Sequence, residues 1–546
     1  MALPAGIRSG IWPTPSEAVP PAGADSLGTR RALLGLARAA LLAALGGTVT
    51  ELAFSERSWW AAAVIGVALL ALALHGASAR RGFMLGLLWG LGFFLPHIWW
   101  ANEAVGPVPW VGLAGLESLI VAAGCAGAVI ARRWHLAQRW PVVGAAVFAV
   151  VWTTTEQVRQ VWPFGGFPWG RLAFSQVDGP LVGLARFGGA PLVSFAVAAL
   201  GFLLATVVVT VLTRTRLRTP RSLAVAALIP IGVGLLPIPT EPQAGVLMVA
   251  AVQGNVSTPG LDAFAQAREV LENHVVATRA LLEDVRPGEL DVILWPENAS
   301  DINPRVDLLA SQSIDGVAAS LGAPILLGTD HRTDDVRYND MVLWEPGRGA
   351  TYSYSKQVPA AFGEYVPWRS FFRLFSPEVD RVRVDMARGS EPAVVPIQVD
   401  RLGRGVVLAA PICFEVAYDA VVRDAVRAGA EVLVVPTNNA SFGYTAESIQ
   451  QLAMSRFRAV EHGRGAVQIS TVGVSGVIRP DGALVDRTEL FTQDSMLAEL
   501  PLRTSITMAD RLGDVPTVLV VIGALGAIGI GWRSGRRARV WARSAR

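Results

Sequence analysis

The stretch G-V-V-L-A-A-P-I-C-F-E-V-A, residues 405–417, decides how the largest water-exposed part of this chain is read. Residues 405–412 form a short apolar run without a charge, the pattern of a strand covered on both faces. Cys413 follows at once, and 416–428 has the spacing of a helix. The same alternation continues outward. Strand-like runs lie at 245–253, 291–295, 324–328, 340–344 and 431–435, and helical patterns at 263–284 and 447–462. Near-continuous apolar strands alternating with amphipathic helices predict an α/β layered domain with helices over a sheet.

The chain as a whole is more apolar than such a domain. Of 546 residues, 52% are hydrophobic and 17% charged, where soluble domains carry about a quarter. Mean hydropathy is +0.42. An integral membrane protein is expected. Seven apolar runs precede residue 240, roughly at 32–50, 59–77, 82–100, 108–131, 140–158, 190–213 and 222–239. An eighth spans 515–532. Each is near the ~20 residues that cross a bilayer as a helix. Arginines cluster before the first run and after the second, fourth, sixth and eighth, while the intervening loops are poor in them. By the positive-inside rule both termini are then cytoplasmic, and the α/β part lies outside. The expected layout is a disordered arm (1–29), a seven-helix membrane domain (30–240), an extracytoplasmic domain (241–512), an eighth span (513–533) and a basic tail (534–546).

A net charge of +3 argues for no nucleic-acid partner. Two cysteines cannot build a disulfide framework, and Cys125, inside an apolar run, reads as a small core residue. The six histidines show no metal-binding spacing, and no cofactor signature is present. The aromatic segment W-P-F-G-G-F-P-W-G at 162–170 reads first as an interface belt, and alternatively as a platform that holds a lipid.

Three residues sit where sheet proteins place their chemistry, at strand ends. Glu297 follows V-I-L-W-P, Lys356 follows T-Y-S-Y-S, and Cys413 ends the run quoted above. A cysteine at a strand-to-helix turn gains thiolate character from the helix N-terminus. A nearby carboxylate can serve instead as general base, and a lysine can stabilise charge developing on a carbonyl oxygen. Lys356 is the one lysine among 47 basic residues. A GC-rich genome explains arginine elsewhere. It does not explain the survivor, where a compact ammonium has chemistry that guanidinium lacks. Each of the three also has an ordinary reading: core cysteine, capping carboxylate, surface charge.

Taken together, Gln253-Gly254-Asn255, Trp295-Pro296-Glu297, Lys356, the F-G-E-Y-V-P of 362–367, Ile412-Cys413-Phe414-Glu415 and the T-N-N-A-S-F-G of 437–443 resemble the nitrilase or carbon–nitrogen hydrolase superfamily. Joined to the span layout, they are most similar to its membrane-bound branch, the bacterial apolipoprotein N-acyltransferases. The resemblance implies a nitrilase-like α-β-β-α sandwich beside about eight spans. It makes Glu297 the base, Lys356 the oxyanion-stabilising cation and Cys413 the nucleophile, with Glu364 and Glu415 orienting Lys356 and the lip of the site, and Phe414 supplying a backbone N–H. It also implies a membrane phospholipid as acyl donor, a diacylglyceryl apolipoprotein as acceptor, a Cys413 thioester with ping-pong kinetics, and a monomer in the bacterial plasma membrane without metal or cofactor. Two departures touch substrate binding: Phe414 stands where many relatives carry Tyr, and no Trp occurs in 256–266. The alternatives are a membrane-anchored amidase, with water attacking the acyl-enzyme, and a transporter or receptor with an inert outer domain. The latter needs buried acids in its spans, of which Glu117 is the clearest.

Overall fold

The computed structural model describes residues 24–54, 57–215, 219–256, 268–333 and 335–544. Each expected apolar run contains a helix, although 59–77 is helical only over Trp60–Ala73 and 222–239 only as far as Gly234. The membrane part comprises α1 (Ala24–Glu51), α2 (Trp60–Ala73), α3 (Ala79–His97), the short α4 (Trp100–Val105), α5 (Pro107–Ala131), the short α6 (His135–Arg139), α7 (Pro141–Val161), α8 (Ala185–Leu212) and α9 (Pro220–Gly234). Proline opens α5, α7 and α9, where its missing N–H is no loss. Cys125 packs where α5 meets α3: a Cβ added to Gly86 would lie 2.8 Å from its sulfur. Its expected role as a packing residue fits this contact.

Among the described residues four segments, Arg30–Glu51, Pro107–Ala131, Val182–Leu212 and Val515–Arg537, are long and apolar enough to cross a membrane. α2 and α9 have 14 and 15 residues, a rise of about 21–23 Å against a ~30 Å hydrocarbon core. Helix length and composition thus carry four spans, and the larger count rests on the alternation of charge. The arm expected to be irregular is helical from Ala24 onward, and residues 1–23 lie outside the described residues.

The α/β part contains β1 (Val246–Gln253), α10 (Glu269–Ala280), β2 (Val292–Leu294), α11 (Leu308–Leu321), β3 (Ile325–Arg332), β4 (Arg337–Glu345), β5 (Gly349–Ser355), α12 (Arg369–Phe372), β6 (Val394–Val399), β7 (Arg404–Ala409), α13 (Asp419–Arg427), β8 (Val432–Thr437), α14 (Glu447–His462), β9 (Ala466–Ser470), β10 (Gly476–Ile478), β11 (Leu484–Arg487) and β12 (Asp494–Pro501). α15 (Met508–Leu512) leads into α16 (Val515–Ser544), which continues through the basic tail as helix. Two six-stranded sheets form, in the orders β12-β1-β2-β3-β4-β5 and β11-β10-β9-β8-β7-β6.

Strand pleating explains why the strands are apolar on both faces. Leu247, Val249 and Ala251 of β1 meet Val406 and Leu408 of β7 between the sheets. Ala250 and Val252 turn the other way, onto Val275 of α10 and Ile314 of α11. The result is an α-β-β-α sandwich. α14 is apolar on two sides: Leu452 and Ala459 cover the second sheet, while Met454, Phe457 and Val460 join the core of the membrane helices. The α/β domain is therefore seated on the membrane domain as well as tethered by its ends. A buried ion cluster reinforces the seat. Asp419 accepts from Arg171 of the membrane domain at 2.7 Å and from Arg458 of α14 at 2.8 Å. Burial pushes the Asp419 carboxyl up, but the two guanidinium groups hold it well below the usual range.

One local expectation fails where it matters. The helix expected over 416–428 is broken: Cys413–Ala417 is a five-residue 3-10 turn, and α13 begins only at Asp419. Cys413 therefore does not stand at the N-terminus of a long helix.

Candidate active site

The ends of both sheets converge on one site. Glu297 lies just past β2, Lys356 directly follows β5, and Cys413 comes shortly after β7. The backbone at Glu297 passes close to β3, where a Cβ on Gly328 would sit 2.6 Å from the Glu297 Cα. The first sheet gathers charge. Lys356 Nζ donates to Glu297 Oε1 at 3.1 Å and to Glu364 Oε1 at 2.7 Å. Asn339 Nδ2, from β4, donates to the same Glu297 oxygen at 2.6 Å, and the Ala360 N–H donates to Glu364 Oε2 at 2.6 Å. Glu297 and Lys356 are 3% and 2% exposed, so their charges persist only because they are paired. Burial raises the Glu297 carboxyl above its ordinary range; Lys356 opposes that shift and Glu364 adds to it. For Lys356, burial alone depresses the ammonium, but Glu297 and Glu364 outweigh it and hold it well above the ordinary value. Lys356 is thus a fixed cation and not a group poised to exchange its proton.

Cys413 has φ +52°, in the left-handed region that non-glycine residues rarely adopt. Glu415 holds this turn. Its Oε2 accepts from the Ile412 N–H at 2.8 Å, and its Oε1 accepts from the N–H groups of Gln357 at 2.6 Å and Val358 at 3.0 Å. Tyr354 donates its hydroxyl to the same carboxylate. Glu415 therefore ties the residue before Cys413 to the two residues after Lys356. The expected orientation of Lys356 by Glu415 runs through backbone, while Glu364 touches the ammonium directly. Burial pushes the Glu415 carboxyl up to about 7.

The hydrogen-bonding neighbours of the sulfur are neutral. Thr437 Oγ1, at the end of β8, lies 3.3 Å from Cys413 Sγ, and Gln451 Nε2 of α14 lies 3.5 Å from it. Burial pushes the thiol up to about 12, Glu297 adds to this, and Lys356 opposes it. The helix N-terminus expected to favour the thiolate is replaced by a short turn and an apolar surrounding, which favour the protonated thiol.

The membrane domain closes the site with the aromatic segment at 162–170. Trp162 is exposed, as a belt residue is. The rest of the segment turns inward, against the belt reading. Phe167 and Trp169 stack toward Phe414 with ring centroids 5.9 and 5.8 Å apart. Phe164 enters a box of Phe362, Trp368 and Phe372 at 5.8, 5.2 and 5.8 Å. Tyr365 donates its hydroxyl to the Phe164 carbonyl at 2.7 Å, and Tyr418 to the Gly166 carbonyl at 3.1 Å. Beside this wall a cleft of about 870 Å³ opens between Pro96, Trp99 and Trp100 on the membrane side and Tyr444 on the other. Glu117 pairs with Arg159 in the membrane domain, and Arg159 also donates to the Trp169 carbonyl at 2.7 Å. The acid that a transport path would use is committed to holding the aromatic segment.

Several contributors escaped sequence reading. Asn339 reaches Glu297, Gln451 reaches the sulfur, and the buried Glu447 accepts from Asn439 at 2.7 Å. Asn339 left a signal, an amide in the apolar strand Y-N-D-M-V-L-W. Gln451 and Glu447 looked like ordinary polar residues of an amphipathic helix. Apart from Val256, the stretch 256–266 lies outside the described residues. No cluster of three metal-ligating side chains occurs among the described residues.

Comparison with known proteins covers both halves. The family described as apolipoprotein N-acyltransferase N-terminal domain matches residues 46–203, and the carbon–nitrogen hydrolase family matches residues 248–509. A protein of Mycolicibacterium smegmatis named apolipoprotein N-acyltransferase is 39% identical over 518 residues, 90% of this chain and 84% of that one. Relatives of the same name from Pseudomonas putida and Azotobacter vinelandii are each 30% identical, over 89% and 91% of this chain and 95% of theirs.

Proposed function

The chain belongs to the apolipoprotein N-acyltransferase family, and from that premise we propose that Cys413, Glu297 and Lys356 carry a two-step acyl transfer from a membrane phospholipid to a lipoprotein N-terminus. As a member it is an acyltransferase of the carbon–nitrogen hydrolase superfamily acting in lipoprotein maturation, and a hydrolytic amidase reading is not favoured. The observation that carries the site assignment is the meeting of a protonated thiol with the Glu297–Lys356 pair, whose charges are felt at the sulfur and whose ammonium is also held by Glu364.

In the first step Glu297 takes the Cys413 proton as Sγ attacks the ester carbonyl of a phospholipid. Because the thiol holds its proton, a base is required, and the raised Glu297 carboxyl suits it to accept and return one. Lys356 Nζ and the Phe414 N–H stabilise the oxyanion. The ester C–O bond breaks, the lysophospholipid alkoxide regains the proton from Glu297, and a thioester remains on Cys413. In the second step the α-amine of a diacylglyceryl-cysteine attacks the thioester carbonyl, Glu297 takes the amine proton, and the thiolate leaves and is reprotonated. An amide results, and the two lipids use one site in turn. Glu415 sets the Cys413 turn, and Phe414, stacked on Phe167 and Trp169, lines an apolar approach for an acyl chain.

The alternation of arginine supports eight spans in a plasma membrane, a catalytic domain of 241–512 on the outer face and cytoplasmic termini. Contacts within one chain complete the site, which supports a monomer. Mass spectrometry after incubation with phospholipid is expected to show a hydroxylamine-labile fatty-acyl adduct on Cys413, absent from Cys413→Ala. Retained N-acylation by Cys413→Ala would overturn the mechanism. A reporter inserted into 241–512 that is active only in the cytoplasm would overturn the topology.

A further inference from the structure

Residues Gln450 and Gln451 are neighbours in the first turn of α14 and point about 100° apart around the helix. Both are buried, at 3% and 0% exposure, so every polar atom needs a partner. Gln450 spends its amide on the membrane domain. Its Oε1 accepts from Trp100 Nε1 at 3.2 Å and Trp169 Nε1 at 2.6 Å, and its Nε2 donates to the His97 carbonyl at 2.9 Å. Gln451 spends its amide on the nucleophile's surroundings. Its Oε1 accepts from Thr437 Oγ1 at 2.7 Å and Asn439 Nδ2 at 2.9 Å. Two donors on one oxygen fix which way the amide faces, and its Nε2 is left aimed at Cys413 Sγ at 3.5 Å. Thr437 Oγ1 lies within donating reach of both Gln451 Oε1 at 2.7 Å and Cys413 Sγ at 3.3 Å, and its single hydroxyl proton serves one of them at a time.

We propose that Gln451 is the positioning residue that holds the Cys413 thiolate by an N–H···S hydrogen bond, and that Gln450 makes this hold depend on contact with the membrane domain. This rests on the reading of Cys413 as nucleophile. Three ionisable groups face the sulfur: Glu297 beyond β2, Lys356 beyond β5 and Glu447 on α14. Glu297 and Glu447 disfavour the thiolate, and Lys356 favours it. Gln451 supplies a neutral donor that gains strength when the sulfur becomes anionic, in both half-reactions. Trp169, which Gln450 accepts from, belongs to the same aromatic segment that stacks on Phe414. Loosening that segment therefore reaches the sulfur through a single residue step of α14.

The test is the pH profile of Cys413 alkylation by iodoacetamide in the intact full-length protein, read by mass spectrometry on the Cys413 peptide. Gln451→Met matches the side chain in length and removes the donor. The profile is expected to move upward by about one unit, a roughly tenfold lower rate at fixed pH. Gln450→Leu should move it the same way by less. Gln451→Asn keeps a neutral amide but draws the donor one methylene back from the sulfur, and should also shift it upward. Should Gln451→Met fail to fold, this variant carries the test. An unchanged profile in a folded Gln451 variant overturns the proposal. An unchanged profile in Gln450→Leu alongside a shifted Gln451→Met overturns the coupling to the membrane domain. Alkylation reads the sulfur directly, so its result stays distinct from failure of the nucleophile reading, which retained acyl transfer by Cys413→Ala would show.

Discussion

The two sheets bring different chemistry to the same place. The first contributes buried charge: Glu297 and Glu364 gripping Lys356. The second contributes the sulfur in a neutral setting, with Thr437 and Gln451 as its hydrogen-bonding neighbours. The contrast separates two tasks. A buried cation survives only with carboxylates around it, which also raise its pKa and keep it charged. A buried thiol remains protonated, and in the proposed mechanism it becomes a nucleophile when the charged half removes its proton. Neither half is complete alone, and burial of both makes their alignment consequential.

The largest test of this division is Lys356→Arg. It keeps the charge and changes its shape, so folding and membrane insertion are expected to persist while acylation of Cys413 falls by about 10³-fold or more. Near-native acylation would reduce the charged half to a charge requirement. Next, Glu297→Gln keeps an acceptor for Lys356 and loses the base. The acylation rate is expected to drop roughly 10²–10⁴-fold, with an ordinary circular dichroism spectrum. A smaller effect is expected from Phe164→Ala, which empties the box formed by Phe362, Trp368 and Phe372 and loosens the loop carrying Glu364. A loss of about tenfold in acyl transfer, rescued by Phe164→Leu, would show that the membrane segment positions the charged half.

The smallest effect concerns the neutral half. Burial raises Glu447 to about 8, from which Asn439's hydrogen bond subtracts and to which Glu297 adds. A carboxyl whose folded pKa lies above its unfolded value contributes stability that is full below about pH 4, its unfolded range, and lost as pH rises through about 8. Glu447→Gln preserves an acceptor for Asn439 and cannot ionise. It should raise the melting temperature near pH 9 by roughly 3 °C and leave it nearly unchanged near pH 5. A uniform change across pH would place Glu447 outside this account.

Much of the molecule is legible before folding is considered. The apolar runs become helices, β1, β2, β7 and β8 lie where their patterns put them, and α14 spans Glu447–His462. β6 and β9 to β12 carry weaker signals: β10 and β11 have three and four residues, β6 and β12 are partly exposed edge strands, and the buried β9 is interrupted by Gln468. The helix expected over 416–428 fails because Glu415 bonds back to the Ile412 N–H and forces a tight turn first. The belt reading of 162–170 fails because aromatic composition carries no direction: the same residues suit lipid headgroups or another domain's aromatic box.

What the sequence by itself determined is local and compositional: a membrane part, a layered α/β part, and Glu297, Lys356 and Cys413 each at a strand end. Motif resemblance added their roles. Only the tertiary structure decided the pairings, since Lys356 meets Glu297 across 59 positions and Tyr365 meets Phe164 across 201. It also decided the protonation states. These follow from burial and from which charges stand nearby, properties of a packed interior that no stretch of chain possesses on its own.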